Sequence, residues 1–203
     1  MRKLRRFLEP LQRDVLYEMV GNPETLLVDS TLLSVLHPPC SGLSGLGILR
    51  GGVGEVGFLQ RHGVKLHLIC ATNGVPLSYE LTPANVADVS LTEELLLEAA
   101  LGDGVARKLL GDLAYRSEGL KDALAEVDIL LVTEPSERRR GVRQRVEIAI
   151  SSLKRVFGLD ETLATTLVGL ATRIAAKIAA YTYAFAVNRT LGRPQGRIKE
   201  LWA

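Results

Sequence analysis

Three carboxylates stand out by type and position: Asp29, Asp112 and Glu147. Asp29 comes at or just past the end of a short apolar run in LLVDST, and Asp112 just past another in LLGDLAY. Glu147 lies in RQRVEIAISSLKR, residues 143–155. At about 3.6 residues per turn, Val146, Ile150, Leu153 and Phe157 form an apolar stripe there, with Arg143, Glu147, Ser151 and Lys154 as a second stripe beside it. A solvated helix face ordinarily mixes several acids with its bases, whereas Glu147 stands alone among Arg143, Arg145, Lys154 and Arg155. Singly, each acid has an ordinary reading: Asp29 and Asp112 as strand-end caps, Glu147 as a surface ion-pair partner. Brought to one point, three carboxylates repel one another unless cations neutralise them. Such hard oxygen donors suit Mg²⁺ or Mn²⁺, shared with phosphate and water. Two such ions about 4 Å apart can activate an attacking oxygen and stabilise a leaving one in phosphodiester chemistry.

Convergence of these acids depends on the elements that carry them. Residues 4–20 read as an amphipathic helix ended by Gly21-Asn22-Pro23, and TLLVDSTLL as a first strand. Residues 38–57 are Gly- and Pro-rich and read as a long flexible loop. GVKLHLICATNGVPLSYEL alternates, with Val64, Leu66, Leu68 and Cys70 on one face, and Asn73-Gly74 is a strong hairpin signal, so residues 63–81 read as two antiparallel strands. A helix follows, with Thr82 or Asp88 as its expected cap; then come a strand ending near Asp112, a helix at SEGLKDALAE and a strand at VDILLV. The helix carrying Glu147 and a long one from about Leu163 to Asn188 complete the order. Three consecutive strands followed by alternating helices and strands predict an α/β fold: a ribonuclease-H-like mixed sheet flanked by helices, with an extra long C-terminal helix. The expected organisation is an N-terminal helical segment (1–22), a catalytic domain (23–190) and a loosely held tail (191–203).

Bulk properties narrow the function class. Of 203 residues, 47% are apolar and 24% charged, which excludes a disordered chain. The net charge is only +2, yet bases cluster in residues 2–13, 138–155 and 173–199, while acids gather between Glu93 and Asp128. One basic surface suits a polyanion. Cys40 and Cys70 have no CxxC spacing and read as reduced thiols of a cytoplasmic protein. Arg173 and Lys177 interrupt the longest apolar region, which argues against a membrane span. His62 and His67 lack a third residue at metal spacing, although His67 could line a groove near Asp29. Tyr181, Tyr183 and Phe185 read as core, and Asp88 as a helix-start acid.

LLVDST, GVKLHLICATNGVPLSYELTPANVAD, LLGDLAY and RQRVEIAISSLK together resemble the DDE transposases of bacterial insertion sequences, over about Leu26 to Asn188. The interval of 35 from Asp112 to Glu147 is typical of the second and third acids of that class, and Arg143, Glu147 and Lys154 match its Arg-x₃-Glu-x₆-Lys pattern. The resemblance implies that Asp29, Asp112 and Glu147 are catalytic metal ligands for Mg²⁺ or Mn²⁺, two ions in all. It implies DNA contact by Arg143 and Lys154, with Arg140, Arg145 and Arg155 in the same basic stretch. Hydrolysis at element ends would expose a 3′ hydroxyl that attacks target DNA, with a homodimer expected on DNA and no covalent protein–DNA intermediate.

The chain departs from the family pattern at Arg140, where Tyr is common, at Leu113-Ala114 before Tyr115, and at Ile148-Ala149-Ile150 after the third acid. Only 28 residues precede Asp29, where relatives carry a helical region that recognises element ends. The alternative expectation is therefore a truncated, catalytically idle remnant that binds DNA or self-associates; a ribonuclease-H-like nuclease without transposition is a third.

Overall fold

The computed structural model describes residues 14–21, 23–34, 53–56, 59–99, 106–133, 137–161, 164 and 166–201. Strand β1 (Thr25–Ser34) is the spine of the sheet. On one side it pairs antiparallel with β3 (Leu59–Ala71), from Leu26 opposite Ala71 to Ser34 opposite Gly63. On the other side it pairs parallel with β5 (Lys108–Leu110), which in turn pairs parallel with β6 (Leu130–Val132). The outer edge of β3 carries β4 (Pro76–Pro83), antiparallel from Val64 opposite Pro83. The turn between them is the one Asn73-Gly74 predicts: Asn73 Oδ1 accepts from the Val75 N–H at 3.1 Å, and Gly74 has φ +89°. Antiparallel strands followed by parallel ones, in the order β4-β3-β1-β5-β6, make the ribonuclease-H-like mixed sheet expected from the sequence.

Strand periodicity divides the apolar residues between the two faces of this sheet. Leu27, Leu33, Val64, Leu66, Leu68 and Cys70 face one layer, built by α4 (Glu137–Arg155), α5 (Leu167–Thr190) and the short α1 (14–20). Val146, Ile150 and Leu153 of α4 are buried there, as their spacing predicts, and Phe157 packs edge-on against Tyr181 with ring centroids 5.9 Å apart. Leu26, Val28 and Ile69 face the opposite layer, formed by α2 (Thr92–Ala99), α3 (Glu118–Ala125) and Tyr115. Each fully buried Leu or Ile contributes about 1.5–3 kcal/mol, so both layers hold the sheet firmly. In α5, Tyr181 and Phe185 are core residues while Tyr183 is half-buried, and Thr166 caps the helix by accepting from the Gly169 N–H at 3.0 Å.

Several expectations are corrected here. Asp29 is not at the end of its strand: β1 runs five residues further because β3 offers it a partner as far as Gly63. Of the segment read as a loop, Val53–Val56 forms strand β2, paired with residues 59–62 of β3; residues 35–52 and 57–58 lie outside the described residues. Thr82 caps no helix, since β4 extends through it to Pro83. The tail folds back on α5: the Asn188 Nδ2 donates to the Gln195 carbonyl at 3.1 Å, and Ile198 is buried in the core. Among the described residues, no helix is long and apolar enough to cross a membrane.

Candidate active site

Sheet register brings the first two acids together. Leu27 of β1 is level with Leu110, where β5 ends, so two residues further along each chain Asp29 and Asp112 come side by side. Asp112 keeps an extended backbone (φ −84°, ψ −174°), which continues the strand direction past the last ladder bond. Asp29 thus occupies the notch that opens where its parallel neighbour has stopped. Its side chain shares the Leu27 face of β1, toward α4. There α4 packs across the strand and presents Glu147 one residue beyond buried Val146.

Local hydrogen bonds orient two of the three carboxylates. Asp29 Oδ1 accepts from the Ser30 N–H at 2.8 Å. Asp112 Oδ1 accepts from the Ala114 N–H at 2.8 Å, starting the short 3₁₀ helix Leu113–Tyr115. Between them Gly111 packs so tightly on Tyr115 that a Cβ would meet its ring at 3.0 Å. Glu147 Oε1 is engaged by Arg143 Nη2 at 2.7 Å, one turn back on α4. Among the described residues, no three His, Cys, Asp or Glu side chains are drawn together tightly enough to grip an ion in this conformation.

The charges of the other two acids are nevertheless felt at Asp29. Burial pushes the Asp29 carboxyl up to about 6, and the charges of Asp112 and Glu147 add to the rise; the Ser30 N–H and Arg143 oppose it. A carboxylate cluster with this deficit of positive charge fits a hard divalent cation, and its oxygen donors are the type Mg²⁺ and Mn²⁺ prefer. Asp29, Asp112 and Glu147 are the residues that would hold it, Glu147 only when free of Arg143.

The basic residues divide into three groups. Arg145 and Arg155 are exposed on α4, while Arg143 is half-buried on Glu147. Lys154, expected on DNA, instead donates to the Leu32 carbonyl at 3.0 Å and lies 3.4 Å from Asp160. The Arg140 side chain, like that of His62, lies outside the described residues.

Behind Asp29, on the opposite sheet face, is a cluster that pattern reading missed. Asp88 accepts from Ser30 Oγ at 2.6 Å and from Lys65 Nζ at 2.9 Å, and Lys65 also donates to the Val86 carbonyl at 2.7 Å. Asp88 does open a 3₁₀ helix (Asp88–Leu91), but its carboxylate braces β1 and β3. His67 does not line the Asp29 groove: it is buried on this face, with Nε2 at 2.8 Å from Thr82 Oγ1. Burial lowers its pKa to about 4, so it is neutral. A visible signal was Lys65, a charge on an alternating strand whose second face α2 covers.

A family profile described as Transposase DDE domain matches residues 21–183. No curated protein sequence matches the chain. Among the solved structures similar to this chain at low identity are two that share most of its length. One is a chain of the simian T-cell lymphotropic virus intasome in complex with PP2A regulatory subunit B56 gamma, at 17% identity and TM-score 0.44, covering 77% of this chain and 48% of that one. The other is the HTLV-2 integrase catalytic core domain in complex with magnesium (trimeric form), at 14% identity and TM-score 0.45, covering 76% and 85%. The chain spans about half the length of the intasome chain it matches. With four-fifths of its length inside the family match and the sheet of the fold in place, this chain belongs to the transposase DDE domain family, a class of DDE-type nucleic-acid-processing enzymes.

Proposed function

We propose that this chain is the catalytic domain of an insertion-sequence transposase, which cleaves DNA at element ends and joins the exposed 3′ hydroxyl to target DNA. The observation that carries this reading is the β1–β5 register, which sets Asp29 beside Asp112 under the helix that bears Glu147. Asp29, Asp112 and Glu147 would hold Mg²⁺ or Mn²⁺, which when bound supplies a Lewis acid at the phosphate and activates the attacking oxygen. The chain's own residues hold this geometry. The Ser30 and Ala114 N–H groups aim the two aspartates. Arg143, Arg145 and Arg155 offer positive charge to the phosphates flanking the scissile bond. Arg143 would then exchange Glu147 for a phosphate oxygen as DNA enters. In the first step water attacks the phosphodiester, the bond to the 3′ oxygen breaks, and that oxygen leaves as a hydroxyl. In the second, this hydroxyl attacks a target phosphodiester, forming one P–O bond as another breaks. The protein acts as a homodimer that pairs two ends.

Mn²⁺ titration by calorimetry, together with Mn²⁺-dependent nicking of supercoiled plasmid, tests the proposal with Asp112→Asn as control. Binding and nicking by the wild type, both lost in the control, are expected. The Arg143–Glu147 pair favours a second reading, an idle DNA-binding remnant whose third acid stays sequestered. Plasmid binding without nicking or Mn²⁺ uptake would establish that reading in place of the first.

A further inference from the structure

The hydrogen bond that aims Asp29 comes from Ser30, and Ser30 is itself held from behind the sheet. Alternate residues of β1 face the layer of α2 and α3: Leu26 and Val28 are buried there, and Ser30 is next in that row. A hydroxyl can continue an apolar row when something accepts from it. Asp88 Oδ1 does so at 2.6 Å, a short bond of the kind a carboxylate acceptor makes strong. Asp88 is fixed in turn by Lys65 of β3, which donates to it at 2.9 Å and to the Val86 carbonyl at 2.7 Å. The Ser30 side chain is therefore pinned. Its own N–H, one residue from the acid, donates to Asp29 Oδ1 at 2.8 Å.

The second aspartate is tied to the same layer. Tyr115 ends the 3₁₀ turn that the Asp112 carboxylate opens, and its ring is buried behind the sheet against Gly111. Burial and the charges of Asp88, Asp29 and Asp112 push the Tyr115 phenol up, while the Ser30 hydroxyl opposes them. The stretches LLVDST, TPANVAD and LLGDLAY thus meet behind the two acids. Lys65 and Asp88 would form an ion pair without Ser30; the serine is what links that pair to the acid in front.

We propose that Asp88 and Ser30 are positioning residues for the metal site: Asp88, acting through the Ser30 hydroxyl, holds the Asp29 carboxylate aimed for a divalent cation shared with Asp112. This rests on the transposase reading above.

Calorimetric Mn²⁺ titration of the full chain tests this with Ser30→Thr and Ser30→Val, two β-branched replacements of one shape that differ by the hydroxyl. Ser30→Thr keeps the wild-type affinity, and Ser30→Val lowers it roughly tenfold, as loss of a group supporting a metal ligand does. Two charge-free versions of the back cluster carry the test even if Ser30→Val fails to fold. Asp88→Asn with Lys65→Met retains an acceptor for Ser30 and binds Mn²⁺ as the wild type does. Asp88→Leu with Lys65→Met removes the acceptor and binds roughly tenfold more weakly. Ser30→Val added to the Asp88→Leu pair lowers affinity no further, an outcome that general loosening of the fold would not produce. Equal affinities in Ser30→Thr and Ser30→Val, or in the Asn and Leu pairs, with a wild type that binds Mn²⁺, would overturn the proposal and leave the transposase reading standing. A wild type that neither binds Mn²⁺ nor nicks plasmid would overturn the transposase reading, and this inference with it.

Discussion

Two aspartates on opposite faces of β1, Asp29 on the strand itself and Asp88 reaching Ser30 from its 3₁₀ helix, are treated in opposite ways. Behind the strand, Asp88 reaches Ser30 and is matched by Lys65, with the Lys65 and Asp88 side chains only 14% and 22% exposed. His67 nearby is held neutral, so the buried cluster carries one negative and one positive charge. In front of the strand, Asp29 shares its surroundings with Asp112 and Glu147 and meets one opposing charge, Arg143. A cluster whose object is stability is neutral and hydrogen-bonded; one that awaits a ligand keeps an excess charge and costs the fold free energy. Substitutions should therefore change stability in opposite directions on the two faces.

The largest effect is expected in front. Asp112→Asn keeps the bond from the Ala114 N–H but removes a charge, and Mn²⁺-dependent plasmid nicking falls on the order of 10³-fold, about 4 kcal/mol in barrier height. Urea unfolding should hardly change. Behind the strand the balance reverses. Asp88→Ala leaves Lys65 charged and half-enclosed and strips Ser30 of its acceptor, costing about 3 kcal/mol in urea unfolding. A neutral or stabilising result for Asp88→Ala would end the distinction between the faces.

Next in size is Asp29→Asn, expected to stabilise the metal-free fold. The folded carboxyl titrates at about 6 against 3.8 for the free group, so between those values the native state binds more protons than the unfolded one. Stability from this group is fully present below pH 3.8 and is lost as pH rises through 6. Asp29→Asn should match the wild type at pH 3.5 and exceed it on the order of 2 kcal/mol at pH 7.5 in urea unfolding, an estimate from about 1.4 kcal/mol per pKa unit reduced for relaxation of the site. His67 slopes the other way: its depressed pKa gives stability that is present above 6.5 and lost as pH falls through 4. The two trends offset each other in the wild type, so the difference between variant and wild type is the quantity to read. A variant less stable than wild type at pH 7.5 would mean that Asp29 is neutralised as Asp88 is.

The legible part of this molecule is what short-range periodicity encodes. Strand alternation in β3, the Asn73-Gly74 turn and the apolar stripe of α4 each need only a few neighbouring residues to read, and all stand as expected. Element order then implied the sheet, and motif spacing selected Asp29, Asp112 and Glu147 as candidates, of which register sets the first two side by side. Long-range partnerships were not legible. Asp88 finds Ser30 across 58 residues, and Lys154 finds Leu32 across 122, through packing that no local pattern announces. The length of β1 past Asp29 was hidden for the same reason, since it depends on a partner strand rather than on its own residues. Strand β2 was hidden by composition: glycines in VGEV and beside it weaken strand propensity, and pairing with β3 overrides it.

The smallest stability change is expected at the residue that decides how the front face is meant to work. Arg143 and Glu147 form an i,i+4 pair with side chains 34% and 45% exposed, and with the base preceding the acid, the less favourable order along a helix. Solvent screening keeps such a pair below about 0.5 kcal/mol, so Arg143→Gln should leave urea unfolding nearly unchanged. Two other readouts should move. Duplex binding loses about one unit of salt slope if Arg143 meets a phosphate. Mn²⁺ affinity of the DNA-free protein rises a few-fold, because a competing charge departs and Glu147 is freed toward Asp29 and Asp112. On the transposase reading, a pair this weak is one that an incoming phosphate would displace. If Arg143→Gln instead cost more than about 1 kcal/mol and left Mn²⁺ affinity and salt slope alone, Arg143 would be a structural cation like Lys65. The front of the sheet would then be as neutral by design as the back.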